Sequence, residues 1–379
     1  MKGRGKKGKP DYFLLGSVAL LLLLGILVLV SVSMAPSQRQ YGSPIFLLFR
    51  HLVFGLLPGL ALGYLAFRIP LQKLKKWAPG LLLFNLFLLV LVFLPGIGIT
   101  VGGASRWINL GIATLQPSEL LKITFVLYLA AWLSSSAKQY KKCLPRLETS
   151  QVSTNFAAFL AIVGIITLLL VSQPDVSTWG IIMMTAVLMY FLAGTPIKHA
   201  LWMMAGAVAT LFLLIKIAPY RFERFLVFLE PNIDPMGASY QIKQALIAVG
   251  SGGIFGKGLG MSLQRYGFLP QSMADSIFAI FSEETGFLGS FTLIALFLIF
   301  TWQGFTIAKG SKDDFSKLIC LGLTSWIVIQ AFVNIGAMLG LLPLTGIPLP
   351  FISYGGSALV ISLIAVGLLL NVSCHAQKG

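Results

Sequence analysis

Ten apolar runs, separated by short segments that carry most of the charge, dominate this sequence. A helix needs roughly 20 apolar residues to cross about 30 Å of hydrocarbon. Apolar residues make up 57% of the 379 residues and charged residues only 11%. The pattern predicts an all-α fold, a polytopic membrane bundle of about ten transmembrane helices. The predicted spans are 12–33, 45–67, 77–95, 118–136, 155–172, 179–194, 199–218, 277–302, 318–340 and 358–374.

The distribution of basic residues predicts how the chain crosses the membrane. A net charge of +16 could indicate nucleic-acid binding, but the basic residues cluster in short segments between apolar runs. That arrangement is typical of membrane topology, because Lys and Arg accumulate in cytoplasmic loops. With a cytoplasmic N-terminus, only Arg39 and Arg106 fall outright in the short outer loops. We therefore expect a multi-pass membrane protein with both termini cytoplasmic and no nucleic-acid partner.

Histidine positions limit the chemistry available on the outer side. The three histidines, His51, His199 and His375, all lie outside the predicted outer loops. This argues against a His-based catalytic triad or a His-rich zinc site there. Any general base on the outer side must then be a carboxylate. The three cysteines map to inner segments, so we expect no disulfide framework.

Two outer connections are longer or richer in glycine than the others. Residues 96–117 form a Gly-rich outer loop, and residues 219–276 form a large extracytoplasmic loop before the eighth span, within a single transmembrane domain of residues 1–379. Long loops in compact folds are usually functional or disordered. The apolar character of 240–249 argues against disorder. We expect short helices lying on or dipping into the membrane surface, and active chemistry in this loop.

The Gly-rich segment 250–260 suggests a phosphate-binding loop but fails the Walker pattern. Ser251 stands where the first glycine should be, and Gly258 where Ser or Thr should follow Lys257. A Gly-rich turn can still present backbone N–H groups to a pyrophosphate, with Lys257 adding charge. A structural turn and an anion contact are both open.

Glu119 and Lys122 lie near the start of the fourth span. The structural interpretation is that Pro117 begins the helix, Glu119 faces its positive end and Lys122 pairs with Glu119. Two charges within a span are costly unless they face a polar cavity. We therefore favour the second interpretation, in which both side chains line a cavity.

Asp275 stands at the start of the eighth span. It could cap that helix or serve as a functional carboxylate. Glu283 and Glu284 lie about two turns further along, where a carboxylate needs a partner or a water-filled pocket.

Several separated motifs resemble those of one family. The clearest motif is at 342–357 and reads Leu-Pro-Leu-Thr-Gly-Ile-Pro-Leu-Pro-Phe-Ile-Ser-Tyr-Gly-Gly-Ser, with Asn-Ile-Gly before it at 334–336. It resembles the signature of the SEDS family (shape, elongation, division and sporulation), which includes the FtsW and RodA proteins. The segment around Asp11 and the residues 219–221 and 228–231 resemble FtsW more than RodA. Further matching motifs stand at 103–107, 116–122, 173–175, 247–253 and 269–287.

The resemblance implies a peptidoglycan glycosyltransferase that polymerises lipid II on the outer face of the cytoplasmic membrane, in cell division. An elongation-type, RodA-like polymerase, a lipid II flippase and a non-enzymatic scaffold are the alternatives. Asp275 matches the essential aspartate of the family and is the predicted catalytic residue. The flanking residues 271, 273, 274 and 276 depart from the family pattern.

The remaining predictions concern ligands and partners. A divalent cation, Mg²⁺ or Mn²⁺, could bind the pyrophosphate, with Glu119 or Asp175 as its ligands. Membrane lipids surround the bundle, and the resemblance implies a class B penicillin-binding protein as partner. We expect its membrane helix to dock on spans 8 and 9, because both are long and carry the small residues Gly289, Ala295 and Gly322. The predicted substrate-binding residues are Arg106, Trp107, Glu119, Lys122, Gln173, Asp175, Ser251, Lys257, Glu283, Ser353 and Tyr354.

Overall fold

The computed structural model describes residues 8–101, 104–109, 111, 114–142, 149–194, 197–217, 226–228 and 237–376. In these ranges the chain forms ten long helices, one for each apolar run, and a shorter helix in the large loop. We number the helices in chain order. They are α1 (Tyr12–Tyr41), α2 (Phe46–Arg68, with a π-helical turn at Leu52–Leu56), α3 (Leu71–Leu91), α4 (Pro117–Lys142), α5 (Thr149–Ser172), α6 (Val176–Leu192), α7 (Ile197–Ile217), α8 (Ala238–Ser251), α9 (Ile277–Gly310), α10 (Asp314–Met338) and α11 (Gly356–Ser373).

Among the described helices, α1, α2, α3, α9, α10 and α11 are long and apolar enough to cross a membrane. The other four long helices coincide with the remaining predicted spans. The predicted polytopic helical membrane fold is confirmed.

The two ends of the described chain meet on one side of the bundle. Asp11 caps α1 with its carboxylate, and Gly42 ends that helix in the left-handed conformation. The Gly8 amide donates to the Cys374 carbonyl at 2.9 Å, and the Asp11 amide donates to the Ser373 hydroxyl at 3.0 Å. These contacts place both ends on the same side of the bundle.

A small antiparallel sheet stands where we expected only a Gly-rich loop. Its strands are β1 (Gly98–Val101), β2 (Ala104–Asn109) and β3 (Thr114–Leu115), in the order β1-β2-β3. The all-α prediction missed it because the strands are short and lie among glycines. The β-branched residues at 99–101 favour a strand. The sheet is the scaffold that carries Arg106 and Trp107.

Helix α9 is broken near its start by Gly286. This residue has φ 69° and ψ −162°, and a Cβ at this position would overlap the Gly256 amide nitrogen. Glycine is the residue that adopts such a conformation without steric cost. The Gly-rich segment packs into the break: the amides of Phe287 and Leu288 donate to the carbonyls of Gly253 and Ile254 at 2.9 and 3.1 Å.

The described part of the large loop includes the Gly-rich segment that packs against this break. The described parts of 219–276 are 226–228 and 237–276, and they contain α8 and a 3₁₀ turn at Gln264–Tyr266. The short helix expected in this loop is therefore present. The FtsW-like motif at 219–221 lies outside the described residues.

Helix α10 lies inside the bundle. A Cβ on Gly322 would come within 2.5 Å of the Met189 sulfur and 2.6 Å of the Val126 side chain. The prediction that a partner docks against span 9 at Gly322 is therefore wrong, because that face is already packed. Helix α9 keeps an exposed apolar face, which includes Phe291 and Leu298.

Candidate functional site

The extended segment between α10 and α11 gathers side chains from distant parts of the chain. This 345–349 segment accepts hydrogen bonds at three of its carbonyls, from Ser177 on α6 and from Gln330 and Asn334 on α10. Both α10 amides donate at 2.8 Å. The segment belongs to the strongest motif of the sequence, and the candidate site is built around it.

Asp275 lies beside this segment and immediately before α9. It is only 7% exposed, and its Oδ2 lies 3.4 Å from the Gln241 amide nitrogen of α8. The N-cap position of α9 belongs to Ser276, whose side chain makes no capping bond. The structure therefore does not support the interpretation of Asp275 as the helix cap.

Three hydrogen bonds clamp the backbone at Asp275. The carbonyls of residues 273, 274 and 275 accept bonds, in that order, from the Tyr354 amide at 2.8 Å, the Ser353 hydroxyl at 2.5 Å and the Asn334 side chain at 2.8 Å. We call these contacts the 273–275 clamp. The structure thus brings the predicted site residues Ser353 and Tyr354 next to Asp275, where they hold its backbone. Burial raises the pKa of the Tyr354 phenol above its ordinary value, so the phenol stays neutral at pH 7.

Glu283 is the partner of the Gly-rich segment. Its carboxylate pairs with Lys257 at 2.7 Å and accepts hydrogen bonds from the hydroxyls of Ser262 at 2.5 Å and Ser251 at 3.5 Å. The Lys257 amide also donates to the Glu283 carbonyl at 3.0 Å. Of the two open interpretations of this segment, these contacts favour the structural turn, since the Lys257 charge is already paired.

Glu284 joins the same loop to the first helix. The Ser31 hydroxyl of α1 donates to Glu284 at 2.5 Å, and Arg39 of α1 donates to the Tyr266 carbonyl at 3.1 Å. The expectation that a carboxylate at this depth needs a partner is met for Glu283 and Glu284 alike. Helix α1 therefore fixes the loop that leads to Asp275.

Glu119 and Lys122 form an ion pair inside the bundle. Their atoms are 2.7 Å apart, as the i,i+3 spacing predicted, and the residues are 3% and 2% exposed. Lys122 also donates to Gln330 at 2.8 Å and lies 5.2 Å from the centre of the Trp326 ring. Among the described residues Glu119 Oε2 has no hydrogen-bond partner, and Lys122 lines a small cavity with Phe125 and Trp326. The predicted pair is thus present, and the cavity-lining interpretation stays a prediction.

Arg106 ties the small sheet to the turn between α5 and α6. Its guanidinium donates to the carbonyls of Gln173 at 3.0 Å and Pro174 at 2.5 Å. The Gln173 side chain is itself buried and donates to the Leu89 carbonyl at 2.8 Å. Trp107, the next residue on β2, is half-buried. The predicted residues of this group therefore lie together, and the described partners of Arg106 are neutral carbonyls.

Asp175 caps α6 and does not extend the Glu119 pair. It accepts hydrogen bonds from the Ser118 hydroxyl at 2.8 Å and the Thr178 amide at 3.3 Å. Within the part of the chain that the structure describes, no three His, Cys, Asp or Glu side chains are grouped closely enough to hold a metal ion. The divalent cation stays a prediction, and the chemistry below is derived without it.

Three polar residues of the site were missed by sequence reasoning. They are Gln241 on α8 and Gln330 and Asn334 on α10. Gln330 and Asn334 follow Trp326 at four-residue intervals on α10, so these three α10 residues lie on one helix face. Uncharged polar side chains on one face of an apolar span were the available signal.

Comparison with known proteins identifies the family of this chain. The model of the FtsW/RodA/SpoVE family, described as cell cycle proteins, matches residues 12–378. Stage V sporulation protein E of Bacillus subtilis is 37% identical over 372 residues, which cover 98% of this chain and 99% of that protein. A probable peptidoglycan glycosyltransferase FtsW of Coxiella burnetii is 38% identical over 361 residues, 94% of each chain.

Solved structures share the fold. A chain from a structure described as "Structural coordination of polymerization and crosslinking by a peptidoglycan synthase complex" has a TM-score of 0.75 and 28% identity, covering 96% of this chain and 97% of that one. The rod shape determining protein RodA of Thermus thermophilus has a TM-score of 0.70 and 26% identity, with 98% of each chain covered. The motifs, the fold and the near full-length matches lead to one conclusion: this chain belongs to the FtsW/RodA/SpoVE family of cell cycle proteins, the SEDS family, and within it is FtsW-like.

Proposed function

We propose that this protein is a peptidoglycan glycosyltransferase that polymerises lipid II on the outer face of a bacterial cytoplasmic membrane during cell division. The observation that carries the proposal is the buried, clamped Asp275 carboxylate beside the 345–349 segment. Two relatives that are 38% identical over nearly the whole chain bear the name probable peptidoglycan glycosyltransferase FtsW, which supports the same reaction class.

The proposed reaction joins two sugars. The 4-hydroxyl oxygen of one lipid II attacks the anomeric carbon of another, a new C–O bond forms, and the bond to the polyprenyl pyrophosphate breaks. A sugar hydroxyl is a weak nucleophile, and a positioned base typically contributes 10²–10⁴-fold to the rate. Asp275 accepts the hydroxyl proton, and the 273–275 clamp fixes its position.

The leaving pyrophosphate needs positive charge and amide donors rather than a proton. Lys122 and Lys257 are each paired with a carboxylate at 2.7 Å. Arg106 donates to neutral carbonyls, so its charge is uncompensated by the partners that the structure describes. Arg106 is therefore the favoured contact of the leaving group.

A flippase is the second candidate from another class, and a non-enzymatic scaffold is the third. A flippase needs alternating access between two related halves. The site residues instead lie at one end of the described bundle, around Asp275 and the 345–349 segment. Conversion of lipid II to glycan strands in detergent separates the three, because a flippase and a scaffold leave lipid II unchanged.

A class B penicillin-binding protein is the proposed partner. The solved complex of a similar chain is described as coordinating polymerization and crosslinking, which supports a crosslinking partner here. Its single membrane helix would dock on an exposed apolar face of the bundle, such as that of α9 at Leu298, away from the break at Gly286. An elongation role, as in RodA, would change this partner and leave the chemistry the same.

The orientation is tested by labelling. We expect Cys substituted for the exposed Ser43, on the Asp275 side of the bundle, to react with a membrane-impermeant maleimide in intact spheroplasts. Cys substituted for Lys76, on a basic segment at the other side, should react only after permeabilisation. The native chain is the control, since Cys143 and Cys374 are predicted to be cytoplasmic. Reversed labelling at 43 and 76 would contradict the proposed topology.

Asn334 is expected to position Asp275. Asn334→Ala removes both side-chain hydrogen bonds and leaves two buried carbonyls without this donor. The free energy of unfolding should fall by about 1–3 kcal/mol. Asp275 then loses a constraint on its backbone, so we expect kcat to fall at least tenfold while KM for lipid II changes little. Asn334→Gln keeps the amide and should recover part of kcat.

The matched control is Asn371→Ala. Its amide likewise donates to two carbonyls, the buried one of Ala66 and the partly buried one of Ile69, but at the opposite end of the bundle. Both variants should lose similar thermal stability. Equal kcat values for the two would show that Asn334 only supports the fold.

A further inference from the structure

The loop between α8 and the 3₁₀ turn exposes large apolar side chains. Phe255 is 79% and Met261 is 67% exposed, and Ile254, Leu259 and Leu263 are each more than half exposed. Exposed apolar side chains that lie close together in the chain commonly mark a surface that contacts a membrane or another protein. We call these five residues and the segment that joins them the 254–263 loop.

The loop is fixed at a definite level of α9. Its start is hydrogen-bonded to Phe287 and Leu288, directly after the break at Gly286. The part of α9 after the break, residues 287–310, has a length of about 36 Å at 1.5 Å per residue. This exceeds the roughly 30 Å of a hydrocarbon core, so residues 287–310 can cross the membrane alone. The 254–263 loop then lies at one boundary of the hydrocarbon, on the side of Asp275.

Three successive amides of the loop are paired with protein groups. The amides of Gly256, Lys257 and Gly258 donate to carbonyls at 2.8–3.0 Å, and two of these carbonyls belong to Glu283 and Glu284. The Lys257 side chain turns toward Glu283 as well. Irregular backbone at membrane depth is tolerated only when it is paired in this way. The polar side of the loop therefore faces α9 and its apolar side faces outward.

We infer that the 254–263 loop inserts into the lipid leaflet on the Asp275 side of the membrane. Bilayer lipid is the occupant because the exposed side chains of the loop continue the exposed apolar face of the spanning part of α9, at Phe287 and Phe291. An apolar surface beside a polar, anchored face is the pattern of an interfacial membrane anchor. The loop is covalently continuous with Asp275, so it sets the depth of that carboxylate relative to the lipid surface.

Nitroxide labels in proteoliposomes test the insertion without any activity measurement. The labels are placed at Phe255→Cys and Leu259→Cys in a chain whose native cysteines are replaced, and Ser43→Cys is the control on the same side of the bundle. Collision rates with oxygen, which concentrates in lipid, and with a water-soluble nickel chelate are compared. We expect the oxygen-to-nickel ratio at 255 and 259 to exceed that at 43 several-fold.

Two results would overturn the inference. Nickel access at 255 and 259 equal to that at 43 would place the loop in water. Low access to both reagents would place it against protein, such as a second copy of the chain. If the cysteine-free chain does not fold, a lipid-soluble carbene reagent applied to the native protein gives the same decision: labelling of 254–263 supports insertion, and its absence, with α9 labelled, contradicts it.

Discussion

Asp275→Asn is expected to lower the rate of lipid II polymerisation by about two to four orders of magnitude, the usual contribution of a general base. Asn matches Asp in shape and can still accept a hydrogen bond from Gln241, but it cannot take the hydroxyl proton. The 273–275 clamp uses backbone carbonyls, so it survives the substitution. We therefore expect normal membrane insertion, a melting temperature near that of the native chain, and almost no glycan product.

The control for this variant is Asp313→Asn. Asp313 does cap a helix, α10, where its carboxylate accepts a bond from the Ser316 amide at 2.9 Å. Asn and Asp rank together as N-caps, so activity and stability should both persist. Glu283→Gln should reduce activity only partly, since Glu283 holds the Gly-rich segment. Glycan synthesis by Asp275→Asn at the native rate would move the catalytic base elsewhere.

The second large effect is expected at the buried ion pair. Glu119→Gln leaves the Lys122 ammonium inside the bundle without its carboxylate, and removing one partner of a buried pair typically costs 3–5 kcal/mol. We expect the free energy of unfolding in detergent to fall by about this amount. The double variant Glu119→Gln with Lys122→Met removes both charges and should recover most of the loss.

The matched comparison is Lys257→Met, at the pair with Glu283. The Lys257 side chain is 35% exposed and that of Glu283 is 2% exposed, so solvent screens this pair from the lysine side. After the substitution the Ser262 hydroxyl still donates to the Glu283 carboxylate. The free energy of unfolding should fall clearly less for Lys257→Met than for Glu119→Gln. A loss below about 1 kcal/mol for Glu119→Gln would mean that water reaches Lys122, as the cavity interpretation required.

The sequence predicted correctly the helices and the contacts between residues that are close together in the chain. Apolar runs specify helices wherever they occur, and the Glu119–Lys122 pair followed from a spacing of three residues on one helix. The pairing of Lys257 with Glu283 spans 26 positions, and that of Asn334 with Asp275 spans 59. No local rule selects such partners, because they meet only after the helices have packed. The second partner of Lys122, Gln330, was missed for the same reason, since it is 208 positions away.

The Gly-rich loops show the same limit at a smaller scale. Gly286 and Gly256 are needed because two backbones touch at the break in α9, and composition alone could not separate that need from an anion site. Asp275 was found through a motif, whereas the groups that hold it, Asn334 and Ser353, take their roles from the fold.

The most direct measurement of the central claim uses purified protein, lipid II and detergent, with no second leaflet present. The native chain, alone or with its class B penicillin-binding protein, is predicted to convert lipid II into glycan strands and to release one polyprenyl pyrophosphate for each new glycosidic bond. Asp275→Asn, assayed in parallel, is predicted to leave lipid II almost unreacted. Lipid II that stays intact with the native chain, both alone and with that partner, would contradict the assignment as a polymerase.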